Sequence, residues 1–215
     1  MALANELIEN NNKIFVEATQ HVFLKDLGNG TINPKFVENF LNQDRIFALG
    51  YCKWLNSIAS RIPLLENSNE LNVEQVDLLH LLSFAVSNGL REVNMFPNTL
   101  NSLSLNYNER ATANSACINY IRYLYGLNNN EDCLVALWAL EKVYLEGWSF
   151  AKQLKSSSPY QELLNNWTTE TFIKFVDHDL SYQVQNIVNK DIPRFNQIFV
   201  DICQLEINFW NESQM

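Results

Sequence analysis

Phe36-Val37-Glu38-Asn39-Phe40-Leu41-Asn42-Gln43-Asp44-Arg45-Ile46-Phe47-Ala48-Leu49-Gly50-Tyr51-Cys52-Lys53-Trp54-Leu55 decides the fold class. Its apolar series runs Phe36, Phe40, Asp44, Phe47, Tyr51, Leu55, in steps of three and four. A helix turns about 100° per residue, so i, i+3, i+4 and i+7 share one face. The stretch therefore predicts a long helix whose inward face carries a carboxylate among aromatic rings. Ile198, Ile202, Glu206 and Phe209 repeat the pattern near the carboxy end. An unpaired buried charge costs several kcal/mol, so an inward carboxylate calls for a partner, a shifted pKa or a ligand. A polar pocket inside an all-α bundle is the expectation.

Two further stripes hold an acid. Leu134, Trp138, Glu141, Tyr144 and Trp148 follow steps of four, three, three and four, and Leu81, Ala85, Gly89, Glu92 and Phe96 form the other. An acid in such a stripe either faces a pocket or reaches solvent or a basic neighbour. Between the stripes, punctuation is sparse, with six Gly and five Pro in the chain. The spacing predicts a first helix over 4–23, closed by Leu27-Gly28-Asn29-Gly30. Asn33-Pro34 opens a second helix that runs to about Arg61 and stops at Pro63. Asn72 with Gln75 opens a third towards Phe96-Pro97. Further helices are predicted over 108–125 and 131–154. A short segment follows Ser158-Pro159, a helix capped by Thr168 comes next, and a final helix follows the break at Asp191-Ile192-Pro193. No β alternation and no internal repeat is visible.

The chain has 215 residues, 47% hydrophobic and 18% charged, so one domain over 1–215 with a sizeable core is expected. A net charge of −9 argues against a nucleic-acid or anionic-membrane surface. No apolar run reaches the roughly 20 residues of a membrane span, and the amino terminus reads as an amphipathic helix rather than a signal. The four cysteines, Cys52, Cys117, Cys133 and Cys203, show no metal-ligand spacing. A cytoplasmic protein with reduced thiols is expected.

Metal and haem are the usual uses of acids and histidines in a bundle. A dimetal bundle needs Glu-x-x-His on two helices, and Asp77-Leu78-Leu79-His80 is the one near match. For haem, His21 lacks a helix with Gly-x-x-x-Gly that would let backbone approach the ligand, and it reads as a capping or core-edge histidine. No metal and no cofactor is expected. Phosphate loops, nucleophile elbows and Cys-His pairs are also missing. Carboxylate acid–base chemistry on a small flat ligand held by aromatic rings remains, and an aminopyrimidine fits, since its N–C–NH2 edge matches a carboxylate.

Four segments in order resemble the TenA (thiaminase II) family. They are His21-Val22-Phe23 with Leu27-Gly28-Asn29-Gly30-Thr31, then Phe40-Leu41-Asn42-Gln43-Asp44, then Ala136 through Trp148, and finally Glu206-Ile207-Asn208-Phe209-Trp210. The resemblance implies a haem-oxygenase-like helical fold. It implies that Asp44 binds the pyrimidine amino group and ring nitrogen, that Glu206 is the acid/base for the leaving amine, and that Tyr144 supports the site. The middle segment is similar to the cysteine-lacking, TenA-E-like subclass, with Leu140 where other members carry a nucleophilic cysteine. Phe47 stands in place of a family tyrosine, and Cys117 and Trp167 lie near two others.

The expectation is thus a thiamine-salvage hydrolase for an aminomethyl- or formylaminomethyl-pyrimidine, without a cysteine nucleophile. Glu206 and Glu141 would be catalytic, and Asp44, Tyr144, Phe47, Glu92 and Trp138 would contact the substrate. The alternative is a pyrimidine-binding or regulatory protein that has lost turnover. A homo-oligomer, dimer or tetramer, is expected.

Overall fold

The computed structural model describes residues 2–62, 73–154 and 158–215, and every described element is helical. The chain divides into two compact units, one formed by 1–40 with 131–215 and the other by 41–130. The predicted stop at Pro63 and the cap at Asn72 lie outside the described residues.

In the first unit the amino-terminal segment is three helices, not the single one expected: α1 (Leu3–Asn10), α2 (Asn12–Thr19) and α3 (Val22–Asn29). Polar side chains make the breaks. Asn11 turns its amide to Leu7 O at 2.8 Å and to Asn196 Oδ1 at 2.6 Å, and its backbone leaves the helical region. His21 then starts α3 by accepting from the Phe23 N–H at 3.2 Å. These side chains offer the backbone alternatives to helix. Gly30 ends α3 with φ of 70°, the left-handed position that favours glycine. Gly28 lies within α3, where an added Cβ would meet the Ala151 carbonyl oxygen at 2.2 Å; glycine permits this close approach.

Asn33 and Pro34 open α4 (Pro34–Ala59) as expected, with Asn33 Oδ1 accepting from the Lys35 N–H at 3.0 Å. The first unit continues through α7 (Asn130–Leu154), α8 (Gln161–Asn166) and α9 (Glu170–Lys174). Thr169, not Thr168, caps α9 by accepting from the Phe172 N–H; Thr168 instead donates back to Leu164 O. Residues Phe175–Leu180 then follow the wider π-helical pattern before α10 (Ser181–Gln185). Asp191 caps α11 (Ile192–Ser213), accepting from the Arg194 N–H at 3.1 Å.

The core of this unit is aromatic. Phe40 lies 5.3 Å from Phe23, 5.2 Å from Trp210 and 5.8 Å from Trp148, ring centre to ring centre. Trp148 and Trp167 pack at 4.3 Å. Such pairs contribute about 0.5–1.5 kcal/mol each beyond the area they bury. They also fix the faces that α3, α4, α7 and α11 present.

The second unit holds the rest of α4, α5 (Val73–Ser102) and α6 (Ser115–Gly126). The helix α5 runs through Pro97, beyond the end expected at Phe96-Pro97, at the loss of one backbone hydrogen bond. It closes at Ser104, whose φ is 57°, with the Leu105 N–H bonded to Leu100 O at 2.8 Å. The helix expected from 108 begins instead at Ser115, because side chains of α4 take up the backbone of the preceding loop. Asn114 caps α6, accepting from the Cys117 N–H at 2.9 Å.

Candidate functional site

Glu206 lies on α11 and is 3% exposed, as the stripe of Ile198, Ile202 and Phe209 requires. Phe209 packs edge-on to Phe40 at 5.9 Å, and Trp210 stacks on Tyr144 at 6.1 Å. Tyr144 also meets Trp148 at 5.8 Å and Trp167 at 5.5 Å. The half-buried Tyr144 thereby joins α7 to α11 through Trp210, one turn after Glu206. Glu141, one turn earlier on α7, is buried at 8% exposure.

Besides the Asn11–Asn196 bond, three contacts hold α11 in register. The Arg194 Nε–H donates to Asp132 Oδ2 at 3.2 Å, tying the first turns of α11 and α7. The Asn39 amide donates to Ser213 O at 3.4 Å. The His21 Nε2 lies 3.2 Å from Asn211 Oδ1, and its Nδ1 accepts from Phe23, which suits a neutral ring protonated on Nε2. Burial pushes the His21 pKa below its usual value, partly offset by the Asn211 bond.

Cys203 precedes Glu206 by almost one turn and is fully buried. Burial, and then the Glu206 charge, push its thiol far above the usual range. A thiolate nucleophile at Cys203 is therefore disfavoured. All four cysteines are buried and none is in a disulfide.

Trp138 stacks its ring on Phe199 at 5.7 Å, and its Nε1–H donates to Ser181 Oγ at 3.1 Å. It lines a cavity of about 510 Å³ with Lys142, Asp177, Ser181, Tyr182 and Gln185. Burial works against the charge of Lys142, but hydrogen bonds to Asp177 at 2.8 Å and Glu146 at 2.5 Å outweigh it and raise the pKa.

In the second unit Asp44 is 7% exposed on α4. Phe47, nearly one turn later, packs on Tyr120 of α6 at 4.7 Å and stacks on Tyr51 at 6.3 Å. Gly89 of α5 faces the same wall: an added Cβ would stand 2.7 Å from Cys52 Sγ and 3.6 Å from the Tyr51 ring. Glu92 is half-buried, 3.7 Å from Arg91 Nη2 and 3.5 Å from the Asn88 amide. The solvent-facing Arg91 makes this a weak pair.

Sequence reasoning passed over the residues beside Asp44. Asn42 and Gln43 each grip the loop before α6 with both ends of their amides. Asp132 was missed as well, although it is buried at 8% exposure. The available signal was Asn42, a poor helix former in the middle of a long helix. Among the described residues, no three of His, Cys, Asp and Glu gather closely enough to hold a metal ion. Among them too, no helix is long and apolar enough to cross a membrane.

Known proteins share this arrangement of helices. A TenA homologue from Pyrococcus furiosus superposes with a TM-score of 0.83 at 23% identity, covering 98% of this chain and 99% of its own. A TenA family transcription regulator from Silicibacter sp. TM1040 gives 0.83 at 13% identity, covering 99% and 96%. These likenesses define an all-α, TenA-type helical bundle. The profile of the TENA/THI-4/PQQC family matches residues 9–215, and the chain belongs to that family. A Glycine max protein named Probable bifunctional TENA-E protein is 23% identical over 211 residues, 92% of this chain and 86% of that protein.

Proposed function

We propose that the chain, acting as a single TenA-like domain, is a thiamine-salvage hydrolase of the cysteine-lacking, TenA-E-like kind. Its substrate is an aminomethyl- or formylaminomethyl-pyrimidine, and the bond cleaved is C–N. Asp44 takes the amino group and ring nitrogen of the pyrimidine. Tyr144, Phe47, Glu92 and Trp138 complete the substrate contacts. Glu206, assisted by Glu141, removes a proton from water as its oxygen attacks the methylene carbon and returns that proton to the departing nitrogen, so the aminomethyl form gives the hydroxymethyl-pyrimidine and ammonia. From the formylated form, attack at the formyl carbon releases formate and leaves the amine. The acid and base are both carboxylates, and neither cofactor nor metal is required.

The observation that carries this proposal is Glu206, a buried carboxylate beside Phe209 and Trp210 in a member of this family. The raised thiol of Cys203 and the burial of every cysteine support chemistry without a thiolate. The TENA-E name of the soybean relative supports the subclass. The second reading, a pyrimidine-binding regulator without turnover, is favoured by the name of the Silicibacter relative and by Phe47, which has no hydroxyl to offer a ligand.

Release of ammonia or formate from the two pyrimidines, measured beside calorimetric binding of the hydroxymethyl-pyrimidine product, separates these. Turnover supports the hydrolase and binding alone supports the regulator. Neither binding nor turnover rejects both. We further propose a cytoplasmic homo-oligomer, dimer or tetramer, which sedimentation of the purified protein tests.

A further inference from the structure

The four residues Asn42-Gln43-Asp44-Arg45 point in four directions about 100° apart around α4. Three of them grip one loop. The Asn42 amide donates to Asn106 O at 3.0 Å and accepts from the Asn108 N–H at 2.9 Å. The Gln43 amide donates to Thr112 O at 3.0 Å and accepts from the Asn114 N–H at 2.9 Å. Arg45 donates to Glu109 O at 3.3 Å and lies over the Tyr107 ring at 5.4 Å.

Each amide thus reads a carbonyl and the N–H two residues further on, as a neighbouring strand does. The loop between α5 and α6 has little regular structure of its own, and these side chains satisfy its backbone. Asn114 passes the constraint on, since its side chain caps α6 through Cys117. The Cys117 thiol also approaches Gln43 O at 3.9 Å. The helix α6 carries Tyr120, which packs on Phe47. Gln43 therefore sits at the node joining α4, the loop and the Phe47–Tyr120 wall.

We propose that Asn42 and Gln43 are positioning residues for ligand recognition. By clamping residues 106–114 they hold α4 in the rotation that presents the Asp44 carboxylate, and they keep the Phe47 ring where a flat ligand would stack. This rests on the assignment of Asp44 as the pyrimidine-binding acid. A binding carboxylate works only within about 0.5 Å and 10–20° of its productive geometry, and the supporting shell sets that tolerance. The amides act through Asp44 and make no contact with the ligand themselves.

The test is a double-mutant cycle on the full chain, read by calorimetry with 4-amino-5-hydroxymethyl-2-methylpyrimidine as the probe and by kcat and KM where there is turnover. Asp44→Asn alone lowers affinity by about 10- to 150-fold, the loss of one charge-assisted hydrogen bond. Gln43→Leu alone lowers affinity by roughly 10-fold, chiefly in KM, because a misplaced group costs up to about 100-fold. Combined with Asp44→Asn, Gln43→Leu costs less than threefold more, since nothing remains to be positioned.

Gln43→Glu keeps the bond to Asn114 and loses the one to Thr112, so it falls between wild type and Gln43→Leu. It also keeps the cycle readable if Gln43→Leu does not fold. Losses that multiply in the double variant, or unchanged affinity in both Gln43 variants, overturn the positioning role while Asp44 keeps its own. Unchanged affinity in Asp44→Asn overturns the pyrimidine assignment instead, and the positioning role falls with it.

Discussion

Replacing Glu206 with Gln tests the chemistry most directly. Glu206 is 3% exposed and precedes Phe209 and Trp210 on α11, so its side chain sits in a dry aromatic setting. Gln has the same size and keeps a carbonyl acceptor, so the packing of α11 against α7 is preserved and no cavity opens. The proton-carrying function is what disappears. Positioned acid–base groups contribute about 10²–10⁴ in rate, or about 2.7–5.5 kcal/mol of barrier.

Ground-state affinity should change far less, by at most about 10-fold, the scale of one hydrogen bond. Ammonia and formate release give the first quantity and calorimetry of the hydroxymethyl-pyrimidine gives the second. The assignment is falsified if turnover in the folded variant stays within about threefold of wild type, because the carboxylate is then chemically idle.

Three other outcomes follow from the same structure. Replacing Cys52, Cys117, Cys133 and Cys203 together by Ala should spare hydrolysis and cost only core packing, a few kcal/mol at most; a folded variant without activity would restore a thiolate mechanism. Ser104→Gly should stabilise the protein by about 0.5–1 kcal/mol, because an exposed non-glycine residue at φ 57° closes α5. A gain of roughly 1–4 °C in Tm is the measure, and a fall would show that Ser104 does more than turn the chain. For His21 the folded-state pKa lies below the ordinary 6.5, so the unfolded chain takes up the proton first. The stability this adds is complete above that value and is lost as pH falls through it towards the folded pKa. Wild type should therefore lose more Tm than His21→Asn between about pH 7.5 and about pH 5.5, and equal losses would remove His21 from the acid response.

Helical periodicity alone was enough for the all-α class and for the inward face of α4, α7 and α11. Apolar spacing near 3.6 is a local property that packing later uses rather than creates. It also foretold the burial of Asp44, Glu141 and Glu206, because a polar residue inside an apolar stripe is carried inward with its neighbours. The caps at Asn33, with Pro34 after it, and at Asp191 are equally local, since they need only a side-chain oxygen and the next turn. The four segments resembling TenA proteins were legible for the same reason, being runs of adjacent residues.

What only the tertiary structure decided involves partners far apart in sequence. The amino-terminal pattern reads as one helix until Asn11 finds Asn196, and His21 finds Asn211, across the fold. The start of α6 moves to Ser115 because Asn42 and Gln43 offer the loop better partners than a helix would. Thr168 looks like a cap by spacing, yet its hydroxyl bonds to Leu164 and Lys152, and Thr169 takes the role. Glu92 and Glu141 occupy equivalent places in their stripes, but α5 leaves Glu92 half-exposed beside Arg91 whereas α7 is buried nearly all round. Hydrogen-bond choices and the depth of a helix in its core depend on what the rest of the chain brings alongside, and periodicity carries no record of that.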